Sequence, residues 1–187
     1  MGPSVERAVR ALSAGRLVVF PTDTLLGLGA RADDARAVDR LVGLKQRPAG
    51  QPLSAAVSSF EELETLGRFS APARRFVRRH LPGPYTVLVA PSPAARRRLA
   101  AAVGGGRTIG LRIPDHPVAR EIARRVGPIV ATSANRHGAP PAPTVRAAER
   151  ALGDDVAVYV RDGPAPSGVP SELVNLTGRA PRRRSRS

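Results

Sequence analysis

Hydrophobic positions along the chain follow two patterns in turn: a helical spacing and short continuous runs. The helical spacing of Val5, Ala8 and Leu12 predicts an opening helix over residues 4–14. The run LVVF that follows, at 17–20, predicts a buried strand closed by Pro21. A strand directly after a helix is the first sign of a mixed architecture.

The two patterns keep alternating to the end of the chain. They predict a short helix opened by the capping box of Ser59 and Glu62. The other predicted helices span 34–44, 71–80, 94–102, 117–126 and 144–152, and the other strands span 52–57, 85–90, 108–113, 128–132, 156–160 and 172–176. Alternating strands and helices predict a single α/β domain. Several connections are too short to hold a crossover helix, so we expect a mixed sheet flanked by helices.

Length and composition agree with one cytoplasmic domain. The chain has 187 residues, of which 42% are hydrophobic but only 3% aromatic, so the core must consist mainly of Val, Leu, Ile and Ala. Cysteine is absent, which excludes disulfides, thiolate zinc sites and cysteine nucleophiles. No apolar stretch or amino-terminal segment predicts a membrane span or a signal peptide. We expect a domain over 1–180 and a basic tail over 181–187.

Charge is the unusual bulk property. Lysine and arginine total 30 against 15 acidic residues, a formal net charge of +15. Such a field attracts nucleic acid and nucleoside triphosphates, although arginine-rich composition of the kind found in GC-rich genomes would also explain scattered arginines. Lys45 is the only lysine. A compact ammonium suits a phosphate at a place too narrow for a planar guanidinium.

Polar motifs recur where predicted strands end, which is where ligands bind in α/β sheets. They are PTDT at 21–24, KQR at 45–47, PGPYT at 82–86, GLRIP at 110–114, TSAN at 132–135 and PSE at 170–172. Hydroxyls, one amide, one lysine and several arginines suit an anionic, phosphate-bearing ligand. The three histidines have no metal-ligand spacing, and His116 is expected to be structural.

Six segments together resemble the TsaC/YrdC family of threonylcarbamoyl-AMP synthases. They are PTDTLLGLGA, LKQRP, LPGPYTVLV, LRIPDHP, TSANRHG and PSELVNLTG, in the family's order and spanning about residues 16–182. The resemblance implies a twisted sheet with an open concave pocket. It also implies a reaction in which L-threonine, bicarbonate or CO2, and ATP give threonylcarbamoyl-AMP and pyrophosphate. That product then serves, through partner proteins, to modify the adenosine beside the anticodon in tRNAs that read ANN codons.

The resemblance also implies roles for individual residues. The expected threonine-binding residues are Thr22, Arg112, Ala131 and Ser171. The expected ATP-binding residues are Lys45, Arg47, Thr108, Ser133, Asn135, Pro141 and Arg182, with Lys45 and Arg47 also catalytic. No metal is expected on protein ligands, and Mg²⁺ would arrive with ATP.

Each of these residue types also has a purely structural interpretation. Thr22 could cap its turn, Lys45 and Arg47 could be solvated at a helix end, and Arg112 could lie at an exposed strand edge. The sequence departs from the usual family pattern at Leu26, Gln51 and His137, and the arginine run leaves the register of Arg182 open.

Two other functions fit parts of the sequence. The net charge suits a module of the same fold that binds structured RNA without synthase activity, although aromatic platforms for single strands are scarce. A related carbamoyl-handling domain is the third hypothesis, but such domains generally carry extra domains. Dependence of activity on threonine separates the synthase from this third hypothesis, whereas a strong, salt-dependent affinity for tRNA without ATP binding would favour the RNA-binding module.

Overall fold

The computed structural model describes residues 2–46, 53–136, 138–178 and 180–184. Its helices are α1 Pro3–Ser13, α2 Ala35–Leu44, α3 Phe60–Leu66, α4 Ala71–His80, α5 Pro93–Arg98, α6 Ala101–Gly104, α7 Pro117–Val126 and α8 Val145–Leu152. Its strands are β1 Val18–Pro21, β2 Leu26–Arg31, β3 Ser54–Ala56, β4 Gly67–Arg68, β5 Tyr85–Pro91, β6 Ile109–Arg112, β7 Ile129–Ser133, β8 Val158–Tyr159, β9 Glu172–Asn175 and β10 Arg182–Arg184.

The ten strands found within the described ranges belong to one sheet. Its order is β10-β9-β5-β6-β3-β7-β2-β1-β8, with β4 paired to β5. The pairs β1–β8, β3–β6 and β5–β9 are parallel, whereas β1–β2, β2–β7 and β5–β6 are antiparallel. The prediction of a mixed α/β sheet is therefore confirmed.

The two faces of the sheet are buried against different helices. Along β1, Val19 belongs to the larger core with Leu41 of α2, while Val18 and Phe20 belong to a smaller core that also contains Ile122 of α7. This division follows from the pleat, which sends successive side chains to opposite faces. Helices α1 and α7 pack on the sheet face that carries the smaller core.

Strand β2 is not among the predicted strands, because two glycines interrupt its segment LGLGA. Leu26 and Leu28 enter the larger core, while Gly27 and Gly29 face the opposite side, where the Phe20 ring lies. A Cβ atom on Gly29 would lie 2.6 Å from that ring. The glycines therefore make room for Phe20 against the centre of the sheet.

Helix boundaries follow the capping signals closely. Helices α4 and α7 have the predicted limits, and each begins with a proline in its first turn. The predicted helix over 94–102 is instead two helices, α5 and α6. Between them the Ala100 N–H donates to the Ala32 carbonyl, 2.8 Å away, which draws the backbone out of a continuous helix.

The carboxy-terminal arginines extend the sheet beyond the expected domain limit at residue 180. Arg182, Arg183 and Arg184 form β10, antiparallel to β9, while residues 185–187 lie outside the described part of the chain. Within the described ranges, each helix is too short or too polar to cross a membrane.

We predict that Gly29→Ala lowers the free energy of unfolding by about 1–3 kcal/mol, because the added methyl group overpacks against Phe20. Gly43→Ala is the matched control. Gly43 is an exposed residue of α2 whose Cβ position is open, so the same substitution should stabilise the protein by about 0.5–1 kcal/mol. Urea denaturation measures both changes, and a stabilised Gly29→Ala protein would contradict the packing described above.

Candidate functional site

A cavity of about 370 Å³ opens on the sheet face that carries the smaller core. Val87 and Leu111 point into the larger core, whereas their neighbours Thr86 and Arg112 line the cavity. The other polar lining residues are Thr22, Thr24, Lys45, Ser54, Thr132, Ser133 and Ser171. This set provides hydroxyls and two cations, and the described lining residues include no carboxylate.

Arg112, the last residue of β6, is a buried cation at this cavity. Its side chain donates from Nη2 to Asp23 Oδ1 at 2.7 Å and from Nη1 to Thr24 Oγ1 at 3.0 Å. The residue is only 9% exposed, so these partners offset the cost of removing its charge from water. The interpretation as a solvent-facing strand-edge arginine is wrong.

Asp23 depends on this pair in turn. Its second carboxylate oxygen, Oδ2, is buried and meets no hydrogen-bond donor within the described ranges. Arg112 therefore supplies the positive charge that compensates Asp23. The pair holds the end of β6 against the turn that follows β1.

That turn, residues 22–24, is closed by a threonine hydroxyl. Thr22 Oγ1 donates to the Leu25 carbonyl at 2.7 Å and accepts from the N–H groups of Thr24 and Leu25, each at 3.2 Å. Such a local hydroxyl turn is the structural role weighed for this residue. Thr22 also lines the cavity, so the structural role does not remove it from the site.

Lys45 is also buried, directly after α2. Its ammonium donates to the Ser133 carbonyl at 3.0 Å and to the carbonyl and side-chain oxygens of Asn135, each at 2.7 Å. At 7% exposure it is not a solvated helix-end lysine, and that interpretation is wrong. The side chain joins α2 to the turn that follows β7.

The turn after β7 is fixed by its own polar side chains as well. Ser133 Oγ donates to Asn135 Oδ1 at 2.6 Å, and Asn135 Nδ2 donates to the carbonyl oxygens of Arg136 and Ala139. Asn135 is buried beneath Lys45 and does not line the cavity itself.

Ser171 reaches the cavity from the loop before β9. Its hydroxyl lies 2.8 Å from that of Thr86. The same loop contacts the 22–24 turn, since Gly168 N–H donates to the Thr24 carbonyl at 2.8 Å. Farther along, the His116 ring lies 3.1 Å from the Pro164 carbonyl through Nε2, in agreement with the structural role expected for this histidine.

The cavity gathers most of the residues expected at the site. Those that line it are Thr22, Lys45, Arg112, Ala131, Ser133, Pro141 and Ser171. Thr108, just before β6, and Arg182, exposed on β10, do not line it. Arg47, Gln51 and His137 lie outside the described residues.

Asp23 is one of three site residues that the sequence-based expectations missed. The available signal was an acidic residue between two threonines, in a chain whose predicted apolar strand at 108–113 contains an arginine. Thr86 and Ser54 were also missed, although PYT was singled out as a motif.

Comparison with known proteins defines the class of this fold. The structure of Pyrococcus abyssi Sua5 complexed with L-threonine matches with a TM-score of 0.87 and 32% identity, covering 96% of this chain and 52% of that one. This chain thus spans about half of the archaeal protein.

Sequence relatives agree. A Mycobacterium tuberculosis protein, named as a candidate threonylcarbamoyl-AMP synthase, is 42% identical over 180 residues, covering 95% of this chain and 81% of its own. A Vibrio vulnificus protein named threonylcarbamoyl-AMP synthase is 32% identical over 164 residues, covering 86% and 87%. A family model named Sua5_yciO_yrdC and described as "Telomere recombination" matches residues 10–186. The chain belongs to the Sua5/YciO/YrdC family.

We predict that Lys45→Met lowers the free energy of unfolding by about 1–3 kcal/mol, because it leaves the oxygens of Ser133 and Asn135 without their donor. Lys45→Arg should not restore stability, since a planar fork cannot direct three donors to oxygens around one point. Chemical denaturation measures both. Unchanged stability in Lys45→Met would show that these bonds contribute nothing.

Proposed function

We propose that this protein is a threonylcarbamoyl-AMP synthase. The observation that carries the proposal is the convergence of Lys45, Arg112 and a set of hydroxyls on one cavity, from segments far apart in the chain. Relatives named for this activity align over most of the chain. An RNA-binding module without synthase activity is not favoured.

The proposed reaction has two steps. The amine of L-threonine adds to CO2 and loses a proton, giving a carbamate. A carbamate oxygen then attacks the α-phosphorus of ATP, an O–P bond forms, and the bond to the leaving pyrophosphate breaks. Such chemistry depends on positioning and charge neutralisation more than on a covalent intermediate with the protein.

In this proposal the threonine side of the cavity is formed around Arg112. A guanidinium matches the planar carboxylate of an amino acid, and Asp23 and Thr24 hold it in place from behind. Thr22 and Ser171 would contact the rest of the threonine, and Ala131 would contribute backbone contacts. The hydroxyls of Thr22 and Ser171 lie on different loops, so these two residues can contact the amino acid from two sides.

The nucleotide side would be formed around Lys45 and the turn after β7. Lys45 and Ser133 line the cavity together and would contact phosphate and nucleotide, with Asn135 supporting both. Pro141 lines the same region and would offer backbone to the nucleotide. Arg47, which lies outside the described residues, and Thr108 and Arg182, which do not line the cavity, stay proposals for the ATP side.

Mg²⁺ would enter with ATP and not on a protein site. Among the described residues no group of three or more acidic or histidine side chains gathers as metal ligands, and hydroxyls with cations are a poor donor set for Mg²⁺. Bicarbonate as the carbon source, a cytoplasmic location, and tRNA and threonylcarbamoyl-transfer proteins as downstream partners belong to the same proposal.

The central test is isotope exchange between ATP and pyrophosphate. With purified protein and Mg²⁺ we expect exchange only when threonine and bicarbonate are both present, because the carbamate is the nucleophile. Serine lacks the methyl group of threonine and valine lacks its hydroxyl, so testing each in place of threonine shows which of the two groups exchange requires. Exchange that is indifferent to threonine would reject the proposal.

We predict that Arg112→Lys and Asp23→Asn both weaken threonine binding, Arg112→Lys by about 10- to 150-fold, because charge-assisted hydrogen bonds contribute about 1.5–3 kcal/mol. Isothermal titration of threonine measures this loss, and the affinity for ATP, titrated without threonine, should change little in either variant. Asp33→Asn is the control, since Asp33 forms a similar pair with Arg31 on the surface. Equal losses in Asp33→Asn and Asp23→Asn would contradict a specific role for Asp23.

A further inference from the structure

A second cavity, of about 230 Å³, lies on the other face of the β5–β9 pair. Tyr85 and Glu172 are paired in register there, whereas Thr86 and Ser171 face the first cavity. The second cavity is also lined by Phe76 and His80 of α4, with Val174, Pro181 and Arg183. Nothing in the proposed synthase reaction uses it.

Aromatic rings form one wall of this cavity. The rings of Phe76 and His80 are stacked, with centroids 4.2 Å apart and planes 17° apart, and Tyr85 meets both edge-on. His80 Nδ1 lies 2.8 Å from the Phe76 carbonyl, which fixes the imidazole. The whole chain has only six Phe and Tyr residues and no Trp, and two of those six, Phe76 and Tyr85, lie in this cluster.

Charged groups form the rim. Arg183 Nε lies 2.6 Å from Glu172 Oε1, which places a guanidinium and a carboxylate side by side at the cavity that the rings line. Two further exposed arginines, Arg75 and Arg79, are the chain neighbours of Phe76 and His80 on α4, whereas Arg182 and Arg184 flank Arg183 along β10 and point to the opposite face of that strand. The surroundings are therefore strongly basic.

We propose that this second cavity binds one unstacked base of single-stranded RNA, with Arg183 and the two α4 arginines on its phosphates. Its volume is below the roughly 300–1,000 Å³ of sites that enclose drug-sized ligands, which suits one ring system. Aromatic side chains and arginine planes stack on splayed bases. The Glu172 carboxylate can accept from an amino group on the base edge. This proposal goes beyond the synthase activity, and either can fail without the other.

The test uses fluorescence anisotropy with three probes. One is a labelled single-stranded RNA of about eight nucleotides, the second an abasic oligomer of equal length and charge, and the third a free 5′-mononucleotide. We expect the RNA to bind more tightly than either of the others. Thermal unfolding and threonine-dependent exchange check that every variant is folded and intact.

Tyr85→Leu should weaken RNA binding by about 5- to 150-fold and leave abasic binding unchanged, while Tyr85→Phe should retain affinity because the ring remains. Arg183→Ala should reduce the slope of log affinity against log salt by about 1. Arg120→Ala is the matched control, since Arg120 is an exposed arginine of α7 on the other layer. It should leave the difference between RNA and abasic probe intact.

Three results would overturn the proposal. Equal binding of RNA and abasic oligomer would mean that only charge is recognised. Unchanged RNA affinity in a folded Tyr85→Leu protein would place the base elsewhere. A mononucleotide that binds as tightly as the RNA, and loses that binding in Tyr85→Leu, would assign the cavity to a free nucleotide instead.

Discussion

Two buried cations, Lys45 and Arg112, hold the loops around the principal cavity, and a buried charge is stable only among polar partners. The partners come from distant segments: Asn135 is 90 residues from Lys45, and Asp23 is 89 residues from Arg112. Satisfying each charge therefore fixes a helix end or strand end against a remote turn. The hydroxyls of the cavity are carried by those same turns, so charge burial and site geometry have one origin.

Local signals were sufficient for much of the fold. The limits of α4 and α7 followed from their prolines and hydrophobic spacing, and short connections indicated the mixed sheet. Strand β2 escaped because glycine is rare in strands, and its alternation makes sense only once Phe20 lies across it. The break between α5 and α6 depends on a hydrogen bond to Ala32, about seventy residues away, which no local pattern contains.

The candidate site divides in the same way. Residues inside recognisable motifs, such as Thr22, Lys45 and Ser171, were expected and do line one cavity. Asp23 was overlooked although it lies within a motif, because its importance comes from Arg112 on another strand. Long-range pairs of this kind are invisible to spacing along a single chain.

The contacts of Lys45 carry a consequence for selectivity. An ammonium has three N–H donors, and here they already serve three oxygens of the turn after β7. A ligand that binds Lys45 must compete with one of these oxygens for an N–H donor. An anionic phosphate oxygen can do so because its hydrogen bond to the ammonium is charge-assisted, whereas a neutral nucleoside offers only weaker acceptors. The contacts that Lys45 makes within the protein therefore favour binding of anionic ligands over neutral ones. Breaking one of these hydrogen bonds would also loosen the turn after β7, so part of the binding free energy of the phosphate would offset the loss of that bond.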